Sequence, residues 1–116
     1  MTSPDTSISK PPYLNPNLSI KERVADLLGR MTLEEKVGQI MLWDGTGNDL
    51  SFINKYQPGS ILHVLGERIS QVLDLAAQNR LSIPLLIGED CIHGHSFWKG
   101  ATIFPTQLGL AASWNP

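Results

Sequence analysis

Apolar residues recur at helical spacing in two consecutive segments of this chain. Ser19 to Glu22 has the form of a capping box, and Thr32 to Glu35 repeats it. Behind the first box, apolar residues stand at positions 20, 24, 27, 28 and 31, and behind the second they stand at 33, 37, 40 and 41. The pattern predicts two helices that meet at a bend near Thr32.

A second pattern predicts a strand, a helix and a strand in succession. Residues 60–65 form a short apolar run between Gly59 and Gly66, and residues 83–87 form another. Residues 67–80 carry apolar side chains on one helical face. Such a βαβ unit implies two parallel strands joined by a right-handed crossover. Two strands with helices on one side leave a sheet face uncovered, so we expect further sheet elsewhere.

The remaining segments lack periodicity. Residues 1–17 hold four prolines among serine, threonine and asparagine, which predicts an extended N-terminal arm. Residues 44–51 are rich in aspartate, glycine and asparagine and predict a loop, followed by a short helix or turn before Pro58. Residues 18–116 are expected to form one partial domain, cut short at Pro116.

Composition excludes several classes of function. The chain has 116 residues, 41% of them hydrophobic, which suits one globular domain or part of a larger one. A net charge of −2 gives no basic surface for nucleic acid. No apolar run approaches the roughly 20 residues that span a bilayer, and the first residues lack a signal-peptide pattern. We therefore expect no nucleic-acid or membrane partner and a cytoplasmic location.

The candidate chemistry follows the second predicted strand. Glu89 and Asp90 come directly after it, and His93 and His95 follow in a loop. Because side chains alternate along a strand, we expect the two carboxylates to point to opposite faces and at most one to face a pocket. His63 stands inside the first apolar run and is expected to be a buried core histidine.

Three interpretations of this cluster are open on the residues alone. It can be a polar loop with a purely structural role. It can be a metal site of Asp90, His93 and His95, residue types that bind zinc or iron, although the spacing has no metal-binding signature. It can also bind a hydroxyl-bearing substrate, since one carboxylate accepts from two adjacent hydroxyl groups.

A family resemblance bears on this choice. Residues 88–95 read Gly-Glu-Asp-Cys-Ile-His-Gly-His, residues 100–105 read Gly-Ala-Thr-Ile-Phe-Pro, and residues 108–113 read Leu-Gly-Leu-Ala-Ala-Ser. With the helical segment 27–39, they resemble glycoside hydrolase family 3, in its β-glucosidase and exo-β-glucanase branch. The resemblance covers about residues 13–116. The N-acetylhexosaminidase branch has a different run after the equivalent aspartate.

The resemblance implies an α/β fold, the N-terminal portion of a (β/α)8 TIM-like barrel, left incomplete here with two helices and a βαβ unit over residues 18–116. It implies a fragment of a retaining β-glucosidase that removes terminal β-D-glucosyl residues from β-glucosides or β-glucans. The nucleophile and the acid/base are expected beyond Pro116, so the fragment alone is expected to be inactive. No cofactor or metal is expected.

The resemblance also implies roles for particular residues. The aspartate at the position of Asp90 binds sugar hydroxyls in the subsite for the terminal glucose, and His93 and His95 are expected to shape the same subsite. Trp98 is a candidate for stacking on a sugar in an outer subsite. The expected partners are the oligosaccharide substrate, the rest of the barrel and a C-terminal domain. The alternative is a non-catalytic α/β module that binds a sugar or a protein partner.

Overall fold

A computed structural model describes residues 10–115 of this chain. These residues belong to two compact units, one that ends at Lys36 and one that begins at Val37. The helices are α1 Ile20–Arg30, α2 Leu33–Gln39, α3 Phe52–Tyr56, α4 Arg68–Ala77 and α5 Gln107–Ala112, with a 3-10 helix at Pro12–Leu14. The strands are β1 Leu42–Asp44, β2 Ser60–Leu62 and β3 Leu86–Gly88.

Both predicted capping boxes are present. Ser19 Oγ accepts from the Glu22 backbone N–H at 3.3 Å, and Glu22 Oε2 accepts from the Ser19 backbone N–H at 3.0 Å. Thr32 and Glu35 make the same reciprocal pair, at 2.8 and 3.2 Å. The two helix starts predicted from the sequence are therefore confirmed, and α1 ends one residue before Met31.

The predicted N-terminal arm differs from expectation where it is described. Residues 1–9 of the arm lie outside the described residues. Within Pro12–Leu14 the chain is a 3-10 helix rather than extended. The Tyr13 backbone N–H donates to Asp26 Oδ2 at 3.1 Å, and Arg23 Nε donates to the Tyr13 carbonyl at 2.9 Å. An extended proline-rich segment would keep its backbone hydrated. These bonds to α1 compensate for the hydration that the segment loses when it packs as a 3-10 helix.

A parallel three-stranded sheet lies in the second unit, in the order β1-β2-β3. Ile61 at its centre pairs with Trp43 on one side and Ile87 on the other. The predicted parallel βαβ unit, with α4 between β2 and β3, is confirmed. β3 begins three residues later and ends one residue later than predicted, at Leu86–Gly88.

Strand β1 was not predicted from the sequence. The second apolar pattern extends to Met41, but α2 ends at Gln39 because the Met41 carbonyl accepts from the Ser60 backbone N–H at 3.2 Å. A close approach also fixes this exit: a Cβ on Gly59 would stand 2.1 Å from the Gln39 carbonyl oxygen. Leu42–Asp44 therefore pairs with β2 instead of continuing a helix or beginning a loop.

Strand β2 is shorter than predicted: it ends at Leu62, three residues before the end of the apolar run. His63 has φ 60, a left-handed conformation that breaks the strand. The prediction of a buried core histidine is wrong, since the His63 side chain is 32% exposed. Val64 still returns to the interior and is almost fully buried.

The core of the second unit lies between the sheet and helices α3 and α4. Its buried members are Phe52, Ile53, Ile61, Val64, Val72, Ala76 and Leu85. On α4, the predicted apolar face places Val72 and Ala76 inside, while Leu73 remains partly exposed. Trp43 packs against this core and stacks on Phe52 with ring centroids 4.8 Å apart.

Each strand of the sheet is followed along the chain by a helix, so the second unit contains three successive βα steps. Several large apolar side chains on these elements and on the segments that follow them stay exposed: Leu42, Leu86, Ile92, Phe104, Leu108 and Trp114. Among the residues that the structure describes, no helix has the length and apolarity to cross a membrane. The fold is a small α/β arrangement around a parallel sheet.

Candidate functional site

Polar side chains gather where the parallel strands end. Asp44 ends β1, His63 follows β2, and Glu89 and Asp90 follow β3. Parallel strands bring their carboxyl ends to one edge of a sheet, which is where α/β barrels carry their chemistry. Residues far apart in the sequence therefore meet at this edge.

His63 contacts both acidic residues that follow β3. Its Nδ1 lies 2.8 Å from Glu89 Oε1, and its Nε2 lies 3.9 Å from Asp90 Oδ2. Glu89 Oε1 also accepts from the Asp90 backbone N–H at 3.0 Å. The expected strand alternation does not apply here, because β3 ends at Gly88 and both carboxylates turn toward one imidazole.

These contacts shift the ionisation of the pair. The hydrogen bond that His63 donates to Glu89 raises the pKa of His63, with further support from the negative charges of Asp90 and Asp44. The same bond lowers the pKa of Glu89. Asp44 has its pKa lowered chiefly by the Thr46 backbone N–H, which donates to Oδ1 at 3.0 Å. The edge is therefore an acidic cluster with one histidine inside it.

A cavity of about 260 Å³ opens beside this cluster. Its lining residues are His63, Asp90, Ile92, His93, Ser96 and Phe97. Asp90 is 63% exposed, so its carboxylate oxygens are available to a ligand. Glu89 instead directs Oε1 to His63. A ligand in this cavity would meet a carboxylate, two imidazoles and apolar side walls.

His93 holds the loop that forms one wall of the cavity. Its Nδ1 donates to the Phe104 carbonyl at 2.7 Å, since a carbonyl oxygen only accepts. The Phe104 backbone N–H donates back to the His93 carbonyl at 2.7 Å. Gly94, at φ 108, lies so close to Thr102 that a Cβ would stand 2.3 Å from its carbonyl oxygen. Residues 88–95 and 100–105, two of the runs that carry the family resemblance, therefore contact each other directly.

Of the other two predicted site residues, Trp98 lies at a second cavity and His95 contacts Trp98. Trp98 lines a space of about 400 Å³ together with Leu65, Gly66, Phe97 and Lys99. The ring centroids of His95 and Trp98 are 6.0 Å apart. His95 Nδ1 is buried with no hydrogen-bond partner among the described residues. Phe97 lines both cavities, so they are neighbours.

The structure thus separates the predicted site residues into two groups. It brings Asp90 and His93 to one cavity and places Trp98 at the next. Within residues 10–115, no three histidine, cysteine, aspartate or glutamate side chains converge as metal ligands would.

Sequence reasoning missed His63 and Phe97. The polar His63 interrupts an apolar run three residues before Gly66, and this was a signal that the strand ends early. A strand that ends at residue 62 places residue 63 at the same end of the sheet as Asp90. Cys91 is exposed, since the chain leaves the sheet at Gly88.

Comparison with known proteins identifies the family. The glycosyl hydrolase family 3 N terminal domain matches residues 32–116, and the chain therefore belongs to this family. The resemblance that residues 27–39, 88–95, 100–105 and 108–113 indicated is confirmed.

Three relatives illustrate the match. A periplasmic beta-glucosidase of Salmonella typhimurium is 39% identical over 99 residues, which cover 79% of this chain and 12% of that protein. Beta-glucosidase C of Emericella nidulans is 33% identical over 131 residues, 91% of this chain and 21% of that protein. The solved structure of a beta-glucosidase involved in saponin metabolism from intestinal bacteria is 59% identical with a TM-score of 0.59, and covers 82% of this chain and 13% of that one.

The chain therefore spans only 12% and 21% of the length of these two curated relatives. The three relatives named above are β-glucosidases, and the region that the family matches holds the parallel sheet and both cavities.

Proposed function

We propose that this chain is the N-terminal part of the catalytic barrel of a retaining β-glucosidase, and that it supplies part of the subsite for the terminal glucose. The observation that carries the proposal is the position of Asp90: it follows β3, lines a cavity and remains accessible. The relatives named above act as β-glucosidases, which supports the same class of substrate. The nucleophile and the acid/base of the retaining mechanism come from outside these 116 residues.

Asp90 acts by accepting hydrogen bonds from two neighbouring hydroxyl groups of the sugar. An ionised carboxylate has enough lone pairs for both, and bonds to a charged acceptor are about twice as strong as neutral ones. His93 orients the loop beside it through its bond to Phe104. This arrangement binds and orients the glucosyl unit, while the catalytic carboxylates act on its anomeric carbon.

The second cavity is the proposed outer subsite. Trp98 and Phe97 offer aromatic faces next to the Asp90 cavity, and Leu65 adds apolar surface. Aromatic rings pack well against the apolar faces of sugars and aglycones. We assign this cavity to the group on the other side of the scissile bond, and His95, in contact with Trp98, to its support.

The partial-barrel proposal rests on two further observations. The strands are parallel and pair in chain order, each followed by a helix, as in a (β/α)8 barrel. Leu86 and Leu42, on the outer strands, leave apolar surface exposed that a continuing sheet and its helices would cover. The proposed partners are thus the remaining barrel and a C-terminal domain, with a β-glucoside or β-glucan as substrate.

Location in the cell remains a separate prediction. Composition suggested the cytoplasm, whereas the Salmonella relative is periplasmic by name. Fractionation of the producing cells, with the intact gene product followed by antibody, distinguishes the two compartments.

The test of the site is Asp90→Ala in the intact gene product. Loss of charged hydrogen bonds to the substrate is expected to cost about 2–4 kcal/mol of transition-state binding, or roughly 30- to 1,000-fold in kcat/KM. The assay is hydrolysis of an aryl β-glucoside. Asp74→Ala removes an exposed carboxylate of α4 and is the matched control, with little change expected. Normal hydrolysis by Asp90→Ala would exclude the assignment.

The alternative of a non-catalytic binding module makes a different prediction. An intact gene product that binds glucose in calorimetry but hydrolyses no aryl β-glucoside would favour that module. Hydrolysis that depends on Asp90 favours the enzyme.

A further inference from the structure

One carboxylate oxygen of Glu89, the residue that follows β3, accepts two hydrogen bonds. Glu89 Oε1 accepts from His63 Nδ1 at 2.8 Å and from the Asp90 backbone N–H at 3.0 Å. The Glu89 side chain is only 11% exposed, so water competes little for this anchor. The same oxygen therefore fixes the His63 ring and the backbone of the residue proposed to bind sugar.

Fixing Nδ1 decides what His63 presents to Asp90. An ionised carboxylate only accepts, so Nδ1 carries a proton in its bond to Glu89. The other nitrogen, Nε2, lies 3.9 Å from Asp90 Oδ2. In the neutral ring Nε2 is an acceptor that faces another acceptor. In the cation it becomes an N–H donor on a positive ring that faces a carboxylate.

The backbone of His63 supports a role beyond packing. Its φ of 60 is a left-handed conformation that non-glycine residues rarely adopt. Such conformations persist where surrounding contacts hold them, and they are concentrated at functional sites. This conformation ends β2 and turns the imidazole to the cavity that Asp90 lines.

We propose that His63 is a positioning residue for Asp90: anchored by Glu89, the protonated imidazole orients the Asp90 carboxylate for the sugar hydroxyls, and the neutral ring releases it. This proposal rests on the sugar-binding role proposed for Asp90. The ionisable side chains around the ring are Asp44 at the end of β1, Glu89 and Asp90 after β3, and His93 on the same cavity. The acidic groups raise the pKa of His63, which extends the cationic form toward neutral pH.

The first test is the pH dependence of KM for an aryl β-glucoside in the intact gene product. KM is expected to rise about fivefold as the pH passes upward through the pKa of His63, with a smaller change in kcat. His63→Gln keeps a donor for Glu89 but has no ionisable nitrogen for Asp90. Its KM is expected to equal the parent's high-pH value at every pH.

Glu89→Gln is the matched second variant. It retains an acceptor for the Asp90 backbone N–H but removes the charge that raises the pKa of His63. The rise in KM is therefore expected to remain and to move to lower pH. A purely structural ion pair would change stability in both variants without abolishing the transition in one and displacing it in the other.

A measurement on the unsubstituted protein covers the case in which these variants fail to fold. If the cationic ring favours sugar binding, then by reciprocity bound glucose must raise the pKa of His63. NMR titration of the imidazole C–H signals, with and without saturating glucose, measures this shift; the 116 residues contain three histidines.

The outcomes separate this proposal from the proposed function. A pKa of His63 that glucose leaves unchanged or lowers, absence of glucose binding, or a His63→Gln variant with the parent's KM profile overturns the role of His63. If Asp90→Ala is defective and His63→Gln is not, the glucose subsite stands and only the positioning role fails. If Asp90→Ala is fully active, the proposed function fails as well.

Discussion

The core region, residues 50–88, and the site segment, residues 89–115, are ordered by different forces. In the core region Ile61 and Val72 are completely buried, and packing against the sheet holds the elements together. In the site segment, Leu108 is 81% exposed and Trp114 is 93% exposed. Order there comes from hydrogen bonds, such as the pair between His93 and Phe104 at 2.7 Å.

This difference shows how a loop can have defined geometry without a core of its own. The two motifs of the site segment bind each other through the His93 side chain and through backbone atoms, so the loop shape is local. Its apolar side chains still need a surface to pack on, and residues 10–115 leave them uncovered. The contrast supports the proposal that the remaining barrel covers the site segment.

The largest expected effect comes from matched truncations in the two regions. Ile61→Ala leaves a cavity in the core and is expected to lower the free energy of unfolding by about 2–5 kcal/mol. Leu108→Ala in the 116-residue chain removes an exposed side chain, with an expected change within about 0.5 kcal/mol. Urea denaturation followed by circular dichroism measures both. Equal losses for the two variants would contradict the comparison.

A second prediction concerns the backbone of the site segment. Gly94→Ala places a Cβ at φ 108 and 2.3 Å from the Thr102 carbonyl oxygen, so the contact between the two motifs must open. The expected cost is about 1–3 kcal/mol, confined to the site segment. Amide hydrogen exchange is expected to accelerate at Phe104 and to stay slow at Ile61.

Gly47→Ala is the control for this change, since a Cβ there meets nothing within 4 Å. Its exchange rates are expected to match those of the parent. Faster exchange throughout the core region of Gly94→Ala would mean that the two regions unfold together.

The smallest expected effect is the pH dependence of the His63–Glu89 pair, because the His63 ring is 32% exposed and solvent screens its charge. The pKa of His63 is raised from 6.5, so its stabilisation is complete below pH 6.5 and is lost as pH rises through the raised value. The pKa of Glu89 is lowered from 4.5, so its stabilisation is complete above pH 4.5 and is lost as pH falls through the lowered value.

The pair therefore stabilises the fold most between these two limits. Glu89→Gln is expected to lose stability in that window and little at alkaline pH. Urea denaturation of parent and variant across the pH range measures the difference. A difference that is constant with pH would show that the carboxylate acts without its charge.

Much of the fold follows from local sequence signals. Ser19 and Thr32 start their helices through contacts three residues away, which a capping box makes visible. Strand β1 was missed because three residues, Leu42–Asp44, are too few for a periodic pattern. Its pairing with β2 depends on residues 18 positions later, such as Ile61 opposite Trp43. That pairing is a tertiary effect that no short window contains.

The candidate site was likewise predicted in part, where the signal is local, and missed where it depends on tertiary contacts. Asp90 was placed at a strand end from its position after an apolar run, and it does follow β3. His63 was assigned to the core, because its partner Glu89 is 26 residues away and the contact exists only once β2 and β3 pair. The role of both residues in sugar binding stays a prediction for the experiments above.

The order of the strands has a consequence for how the protein is made. Each strand pairs with the next one along the chain, so each pairing in this sheet can form as soon as the following strand has been translated. A nascent chain that has exposed residues up to about 90 outside the ribosome can already bury Ile61 and Val72. The first part of the sheet can therefore serve during translation as a template onto which later strands are added.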